Sequence, residues 1–193
     1  MDAIILKDRV TGSMTDEEFL WFCQENKDLR IERNSNLEII IMSPVTTRSN
    51  YGSGAAFAQL YLWNSQQGKG LVFDSSTGFT LPDRSVFSPD ACWVSTSGWN
   101  ALSDEDKDRF APICPEFIIE VRSKSDSLED LQNKMHVWIK NGAQSAWLID
   151  TREKVSYLYH PEKEIRIVKG LDKKLIGEGL VTGFELDLSL LSI

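Results

Sequence analysis

Residues 117–122 read Phe-Ile-Ile-Glu-Val-Arg, an apolar stretch that contains a single carboxylate. Val, Ile and Phe favour the pleated, half-buried surface of a β-strand, whereas Asp and Glu are depleted there. Glu120 therefore interrupts a stretch that otherwise predicts a buried strand. Asp90 is placed in a similar way, because it follows Pro89 and opens the stretch Ala-Cys-Trp-Val-Ser at residues 91–95. The sequence thus predicts two strands that each carry a carboxylate near one end.

Two buried carboxylates require a compensating charge. Burying one ionised carboxylate costs several kcal/mol unless it is paired or binds a metal. Asp90 and Glu120 therefore predict a bound cation, and a divalent ion held by oxygen ligands is the simplest one. This pattern indicates metal-assisted hydrolysis.

The composition limits the class of protein. A chain of 193 residues is long enough for a substantial core and predicts one domain over residues 1–193. The net charge of −8 gives no overall basic footprint, which argues against tight non-specific DNA binding but leaves room for a local basic groove. No signal-peptide pattern opens the sequence and no apolar stretch is long enough for a membrane span, so we expect a cytoplasmic protein without a membrane partner.

Helix and strand patterns alternate along the chain. Thr15 and Glu18 form a capping box that opens a first helix, and apolar spacing predicts further helices over residues 49–67 and 127–140. The predicted strands are a hairpin over 29–33 and 37–43, then 71–73, 77–81, 90–95, 117–121, 146–150, 155–159 and 164–168. The tail is predicted to pack on the body through Leu186, Leu188 and Leu190. Together these elements predict an α/β fold, with a mixed sheet and helices against its faces.

Several short motifs resemble those of a known group of nucleases. Pro89-Asp90 followed by Glu120-Val121-Arg122 is similar to the motif of the PD-(D/E)XK nuclease superfamily, with arginine where lysine usually stands. The resemblance narrows to the Uma-type family of restriction endonuclease-like proteins, once catalogued as a domain of unknown function. It extends over residues 29–159, through motifs in matching order at 29–36, 39–44, 73–79, 88–91, 120–123, 130–135, 141–143 and 147–150.

The resemblance implies a fold, an activity and a set of site residues. The implied fold is a restriction-endonuclease-like core, a mixed β-sheet flanked by α-helices, with an N-terminal helix and β-hairpin. The implied activity is hydrolysis of phosphodiester bonds, with double-stranded DNA as the substrate and Mg²⁺ or Mn²⁺ as the cofactor. Asp90 and Glu120 match the metal-binding acids, Val121 would lend its backbone carbonyl to the same ion, and Glu32 matches a further acid near the site.

The lysine of the motif is where this chain departs from the family pattern. Arg122 stands at that position, but a guanidinium stays protonated and cannot act as a base. It can instead bind a phosphate or the transition state. Lys134 is the better candidate for the catalytic lysine, because it lies at the edge of the apolar stripe of the following helix and can reach towards Glu120. There it would orient or help to deprotonate the attacking water.

The sequence alone leaves other interpretations open. Asp90 can cap a turn, Arg122 can pair with Glu120 or Glu32, and Lys134 can be a solvated surface residue. A catalytically silent dimer that binds or regulates is the alternative to a nuclease, and the acidic charge and the arginine at the lysine position favour it. Hydrolysis of a small phosphodiester or nucleotide is a third hypothesis. We expect a homodimer, formed through the second helix (residues 49–67) or the C-terminal tail, because restriction-endonuclease-like proteins often pair.

Overall fold

The computed structural model describes residues 4–6, 14–42, 46–124 and 126–192, except for the side chains of Arg48 and Ser49. The last residues of the predicted hairpin, beyond 42, lie outside this description. In chain order the elements are β1 (Ile4–Leu6), α1 (Asp16–Glu25), β2 (Arg30–Arg33), β3 (Ile39–Met42), α2 (Thr47–Gln67), β4 (Gly70–Asp74), β5 (Phe79–Thr80), β6 (Val86–Phe87), β7 (Ala91–Ser95), α3 (Thr96–Asn100), α4 (Asp104–Lys107), β8 (Phe117–Val121), α5 (Leu128–Lys140), β9 (Ser145–Asp150), β10 (Val155–Tyr159), β11 (Arg166–Lys169), β12 (Lys174–Ile176) and β13 (Glu185–Asp187).

The larger sheet has the strand order β11-β10-β9-β8-β7-β4. Its central pair, β8 and β9, is parallel, whereas the other neighbours are antiparallel. A parallel pair needs a long crossover connection, and α5 supplies it between β8 and β9. The three central strands β7, β8 and β9 are buried along their whole length, as expected for strands covered on both faces. The predicted mixed sheet with flanking helices is confirmed.

The two faces of this sheet are covered by different helices. On one face, α5 packs Met135 and Trp138 against alternate residues of β8 and β9, among them Ile118 and Leu148. On the other face, α2 and the C-terminal segment, with Leu186 and Leu188, cover the intervening residues, which include Trp93, Ile119, Trp147 and Ile149. Side chains two apart on a strand share a face, so Glu120 points with Ile118 towards α5.

A second sheet joins the first through β6. Its order is β1-β3-β2-β6-β5, and it contains the predicted hairpin as β2 and β3. The first helix, α1, begins at the predicted capping box and buries Phe19 against this sheet. Because β6 leads through Ser88 directly into β7, the hairpin is brought close to the ends of the central strands. This junction of the two sheets positions the candidate site.

The C-terminal tail differs in detail from its prediction. Leu186 and Leu188 are buried as expected, but Leu190 is 51% exposed and Leu191 is buried instead. The prediction extended the two-residue spacing of a strand, whereas the chain leaves β13 and forms a 3-10 turn over Leu188–Leu191. In a 3-10 turn residues three apart lie on one side, which places Leu191 with Leu188.

The sequence also missed β1 and the ribbon of β12 and β13, both of which are very short. Among the described helices, none combines the length and the apolar character that crossing a membrane requires.

Candidate active site

Four of the predicted site residues meet where the two sheets join. Glu32 comes from β2, Asp90 from the bend immediately before β7, Glu120 from β8 and Lys134 from α5. Glu32 and Glu120 are each 4% exposed, so both carboxylates are largely removed from water. The strands hold the acids in place, and the helix brings a cation to them.

Lys134 bridges two of these acids. Its Nζ atom lies 2.9 Å from Oε1 of Glu32 and 3.0 Å from Oε1 of Glu120. The ammonium also lies 5.2 Å from the ring centroid of Phe87, where the ring face attracts a cation. The expectation that Lys134 reaches Glu120 is confirmed, and its interpretation as a solvated surface residue is wrong. Only 15% of its side chain is exposed.

Glu120 has a second donor that the sequence did not reveal. The indole N–H of Trp138, which is fully buried, donates a hydrogen bond of 3.2 Å to Oε1 of Glu120. Trp138 follows Lys134 by four residues on α5, so both donors lie on the same side of the helix. Among the described residues, the contacts of this carboxylate are thus made through Oε1.

Asp90 is held from two sides at the end of the sheet. Its Oδ2 atom accepts a 2.7 Å hydrogen bond from the backbone N–H of Val121, and the hydroxyl of Ser53 on α2 bonds to the same carboxylate. The β7–β8 ladder ends at the pairing of residues 91 and 119, so Asp90 takes the place of a strand partner for Val121. In a β-strand, the N–H and the C=O of one residue point to the same edge of the strand. Because the N–H of Val121 points to Asp90, its carbonyl oxygen lies on that side as well.

Burial and mutual repulsion shift the pKa values of this cluster. Burial raises the pKa of Glu120 to about 7; Lys134 opposes this increase, while Asp90 and Glu32 add to it. Burial also raises the pKa of Asp90, against the opposing effects of the Val121 N–H and Lys134. Burial disfavours the ammonium of Lys134, but the carboxylates of Glu120 and Glu32 outweigh this effect and raise its pKa. The lysine is therefore a cation at neutral pH, which favours a role in orienting water over one in accepting its proton.

Arg122 lies beside the cluster and has a partner of its own. Its Nη1 atom lies 2.5 Å from Oδ2 of Asp150, and its Nε donates to the carbonyl of Asp126. The parallel pairing of Val121 with Ile149 places the residues that end β8 and β9 next to each other. The alternative that Arg122 neutralises Glu120 or Glu32 is wrong.

Asp150 is a charged residue at this site that sequence reasoning missed. It is fully buried, and its other oxygen accepts two backbone N–H groups from the turn that follows β9. A carboxylate directly after the continuous apolar residues 146–149 was the available signal.

The donor set can be tested against the chemistry of a divalent cation. In the part of the chain that the structure describes, no group of three or more His, Cys, Asp and Glu side chains is arranged to hold a metal. Mg²⁺, however, usually binds through one or two carboxylates and keeps several waters. Asp90, Glu120 and the Val121 carbonyl meet that requirement with oxygen atoms only. Three acids face Lys134 here, and Arg30 adds a second positive charge near Asp90, so an added cation would offset the one negative charge that remains. The residues fit a hard divalent ion.

Comparisons with known proteins place this chain in a family. The family model described as "Uma2: Putative restriction endonuclease" matches residues 16–189, and the chain belongs to this family. A solved structure described as "a putative nuclease belonging to DUF820" from Anabaena variabilis has a similar fold, with a TM-score of 0.73 and 19% sequence identity. The match covers 92% of this chain and 97% of that one. None of the curated proteins compared with this chain matches it.

Proposed function

We propose that this protein is a metal-dependent endonuclease that hydrolyses phosphodiester bonds, with double-stranded DNA as its substrate. One observation carries the proposal: Lys134 lies within 3.0 Å of Glu120 and Glu32, in a largely buried site that also contains Asp90. Burying this many titratable groups together is costly for stability, and such clusters concentrate at functional sites. Membership of a family described as "Putative restriction endonuclease" supports this class of reaction.

Each residue of the cluster then has a chemical task. Asp90, Glu120 and the carbonyl of Val121 would hold Mg²⁺ or Mn²⁺, and the ion would lower the pKa of a bound water and offset charge on the phosphate. Lys134, held by Glu32, donates hydrogen bonds and would orient the attacking water. The ammonium also stabilises negative charge that develops at the phosphate.

The reaction breaks one of the two ester bonds of the phosphodiester. The oxygen of water forms a bond to phosphorus, the bond to the leaving oxygen of the sugar breaks, and that oxygen takes up a proton. The products are a phosphate monoester and a hydroxyl. Arg122 would contact the phosphate through the part of its guanidinium that does not bind Asp150, since arginine matches phosphate geometry well.

Cleavage of plasmid DNA in Mn²⁺ tests this proposal. We expect activity in the wild-type protein and its loss in Asp90→Asn, Glu120→Gln and Lys134→Met. Glu129→Gln is the matched control, because Glu129 is an exposed glutamate on the same helix as Lys134. Activity that survives in Asp90→Asn or Glu120→Gln would contradict the assignment of these acids.

A catalytically silent binding or regulatory dimer is the second candidate. The net charge of −8 and the arginine at the lysine position of the motif favour it. Retention on DNA-cellulose with and without Mg²⁺ separates the two functions. Retention that depends on Mg²⁺ supports the nuclease, whereas indifference to the metal supports the silent protein.

We further propose that residues 1–193 form one cytoplasmic domain that pairs as a homodimer. On α2, Tyr61 and Leu62 are 54% and 60% exposed, which offers an apolar surface for such pairing. Light scattering after gel filtration should give twice the monomer mass of 21.9 kDa, and Leu62→Glu should return the protein to a monomer. A monomer mass for the wild-type protein would rule the dimer out.

A further inference from the structure

A basic pocket lies next to the acidic cluster, on the α2 side of β8. Its volume is about 330 Å³, and its charged lining comes from Arg122, Lys124 and Arg152. Thr46 and Thr151 add polar groups, and among the described residues that line the pocket there is no carboxylate. The protein as a whole carries a net charge of −8, so a pocket whose charged lining residues are all positive differs from the protein's overall charge.

The pocket and the candidate site share two structural elements. Val121 lines the pocket, and its backbone N–H donates to Asp90. Gly52 on α2 also lines the pocket, and the next residue, Ser53, bonds to Asp90. A Cβ atom on Gly52 would lie 3.1 Å from Cγ1 of Val121, so the absence of a side chain lets α2 approach β8 closely there. The pocket therefore adjoins the two segments that hold Asp90, the end of β8 and the first turns of α2.

The three cations of the pocket differ in their partners among the described residues. The guanidinium of Arg122 is paired with the buried carboxylate of Asp150. In the described part of the chain, neither Lys124 nor Arg152 forms an ion pair within 4.0 Å; the side chain of Arg152 instead donates to the backbone carbonyl of Lys124, at 3.4 Å. A carbonyl carries no full negative charge, so this bond orients the guanidinium without neutralising it. Lys124 and Arg152, which have no carboxylate partner among the described residues, form a surface suited to phosphate.

We propose that this pocket binds a backbone phosphate of the nucleic acid, next to the phosphate that is cleaved, through Lys124 and Arg152. The inference rests on the proposed function, because it takes the substrate to be a polynucleotide. Phosphate contacts fix the register of a nucleic acid on a protein without reading its sequence. The pocket also explains how an acidic protein can hold a polyanion: the attraction is confined to the surface beside the reacting group.

Binding of a labelled DNA duplex, followed by fluorescence anisotropy with Ca²⁺ in place of Mg²⁺, tests the pocket. Each phosphate contact contributes about 0.9 to the slope of log affinity against log salt concentration. At 0.1 M salt, one contact therefore raises the affinity for DNA by a factor of about eight relative to 1 M salt. Lys124→Ala and Arg152→Ala should each weaken binding by about that factor and reduce the slope by about 1. Lys69→Ala and Arg166→Ala are the matched controls, because both residues are exposed and lie outside the pocket, and they should bind as the wild type does.

A second measurement separates this inference from the nuclease proposal. Inorganic phosphate is titrated into the protein, and the NMR signals of the Thr151 and Arg152 amides are followed. We expect shifts that disappear in the double variant of Lys124 and Arg152. If the duplex binds through these residues but is never cleaved, the pocket stands and the nuclease proposal fails.

The opposite results would overturn the pocket. If cleavage occurs while both variants bind like the wild type, the pocket assignment fails and the nuclease stands. Binding of inorganic phosphate without any binding of the duplex would reject the backbone assignment. The absence of a response to either probe would reject the site altogether.

Discussion

Replacing Glu120 by glutamine should stabilise the metal-free protein above neutral pH. Glutamine keeps the shape of the side chain and an oxygen that accepts from Trp138, but it removes the charge. The pKa of Glu120 is raised from 4.5 to about 7 in the folded protein. Between these values the folded protein binds more protons than the unfolded chain, so the free energy of unfolding falls as the pH rises. At about 1.4 kcal/mol per pKa unit, the loss amounts to about 3 kcal/mol.

Urea unfolding in EDTA at pH 5, 6, 7 and 8 measures this effect, and the six tryptophans provide a fluorescence signal. The wild type should lose about 3 kcal/mol more stability across this range than Glu120→Gln. The variant should be the more stable protein at pH 8, and the exposed-site control Glu129→Gln should follow the wild type. Parallel pH profiles, or a variant that is less stable at pH 8, would refute the view that the ionised Glu120 is held at a cost.

Three further predictions concern the neighbours of Glu120. Lys134→Met removes the cation that bridges the acids and should destabilise the metal-free protein by about 3 kcal/mol at pH 8 in the same urea assay. The loss should be smaller at pH 5, where Glu120 is protonated, and equal losses at both pH values would contradict the pairing of Lys134 with Glu120. Trp138→Phe removes the indole donor and should weaken Mn²⁺ binding about tenfold by calorimetry, and unchanged affinity would show that the bond does not orient Glu120. Arg122→Met leaves the buried charge of Asp150 unpaired and should destabilise the protein by about 3 kcal/mol in urea, a loss that adding Asp150→Asn should largely reverse.

Local patterns in the sequence were sufficient for most of the fold. The capping box at Thr15, the apolar stripe of α5 and the continuous stretch of β9 depend on residues close together in the chain, and each predicted its element. The N-terminal strand Ile4–Leu6 has no such local signal, because it pairs with β3 across a long connection. The strands that sequence reasoning missed are three residues long, whether the partner is distant, as for β1, or close, as for β12 and β13.

The candidate site shows the same division. The contact of Lys134 with Glu120 could be predicted, because the strand face and the helix edge follow from the two periodicities. The contact of Trp138 with Glu120 could also have been predicted, because Trp138 follows Lys134 by four residues on the same helix. It was missed because a tryptophan in the apolar stripe of a helix is already explained by core packing. The pairing of Arg122 with Asp150 depends on β8 and β9 being parallel neighbours, which the sequence does not specify.

Calorimetric titration of Mn²⁺ into the metal-free protein tests the central claim most directly, because it requires no knowledge of the substrate. We expect the wild type to bind the ion and both Asp90→Asn and Glu120→Gln to lose most of the affinity. If the wild type and both variants give the same titration, these two carboxylates do not build a metal site, and the silent protein becomes the better account of the fold.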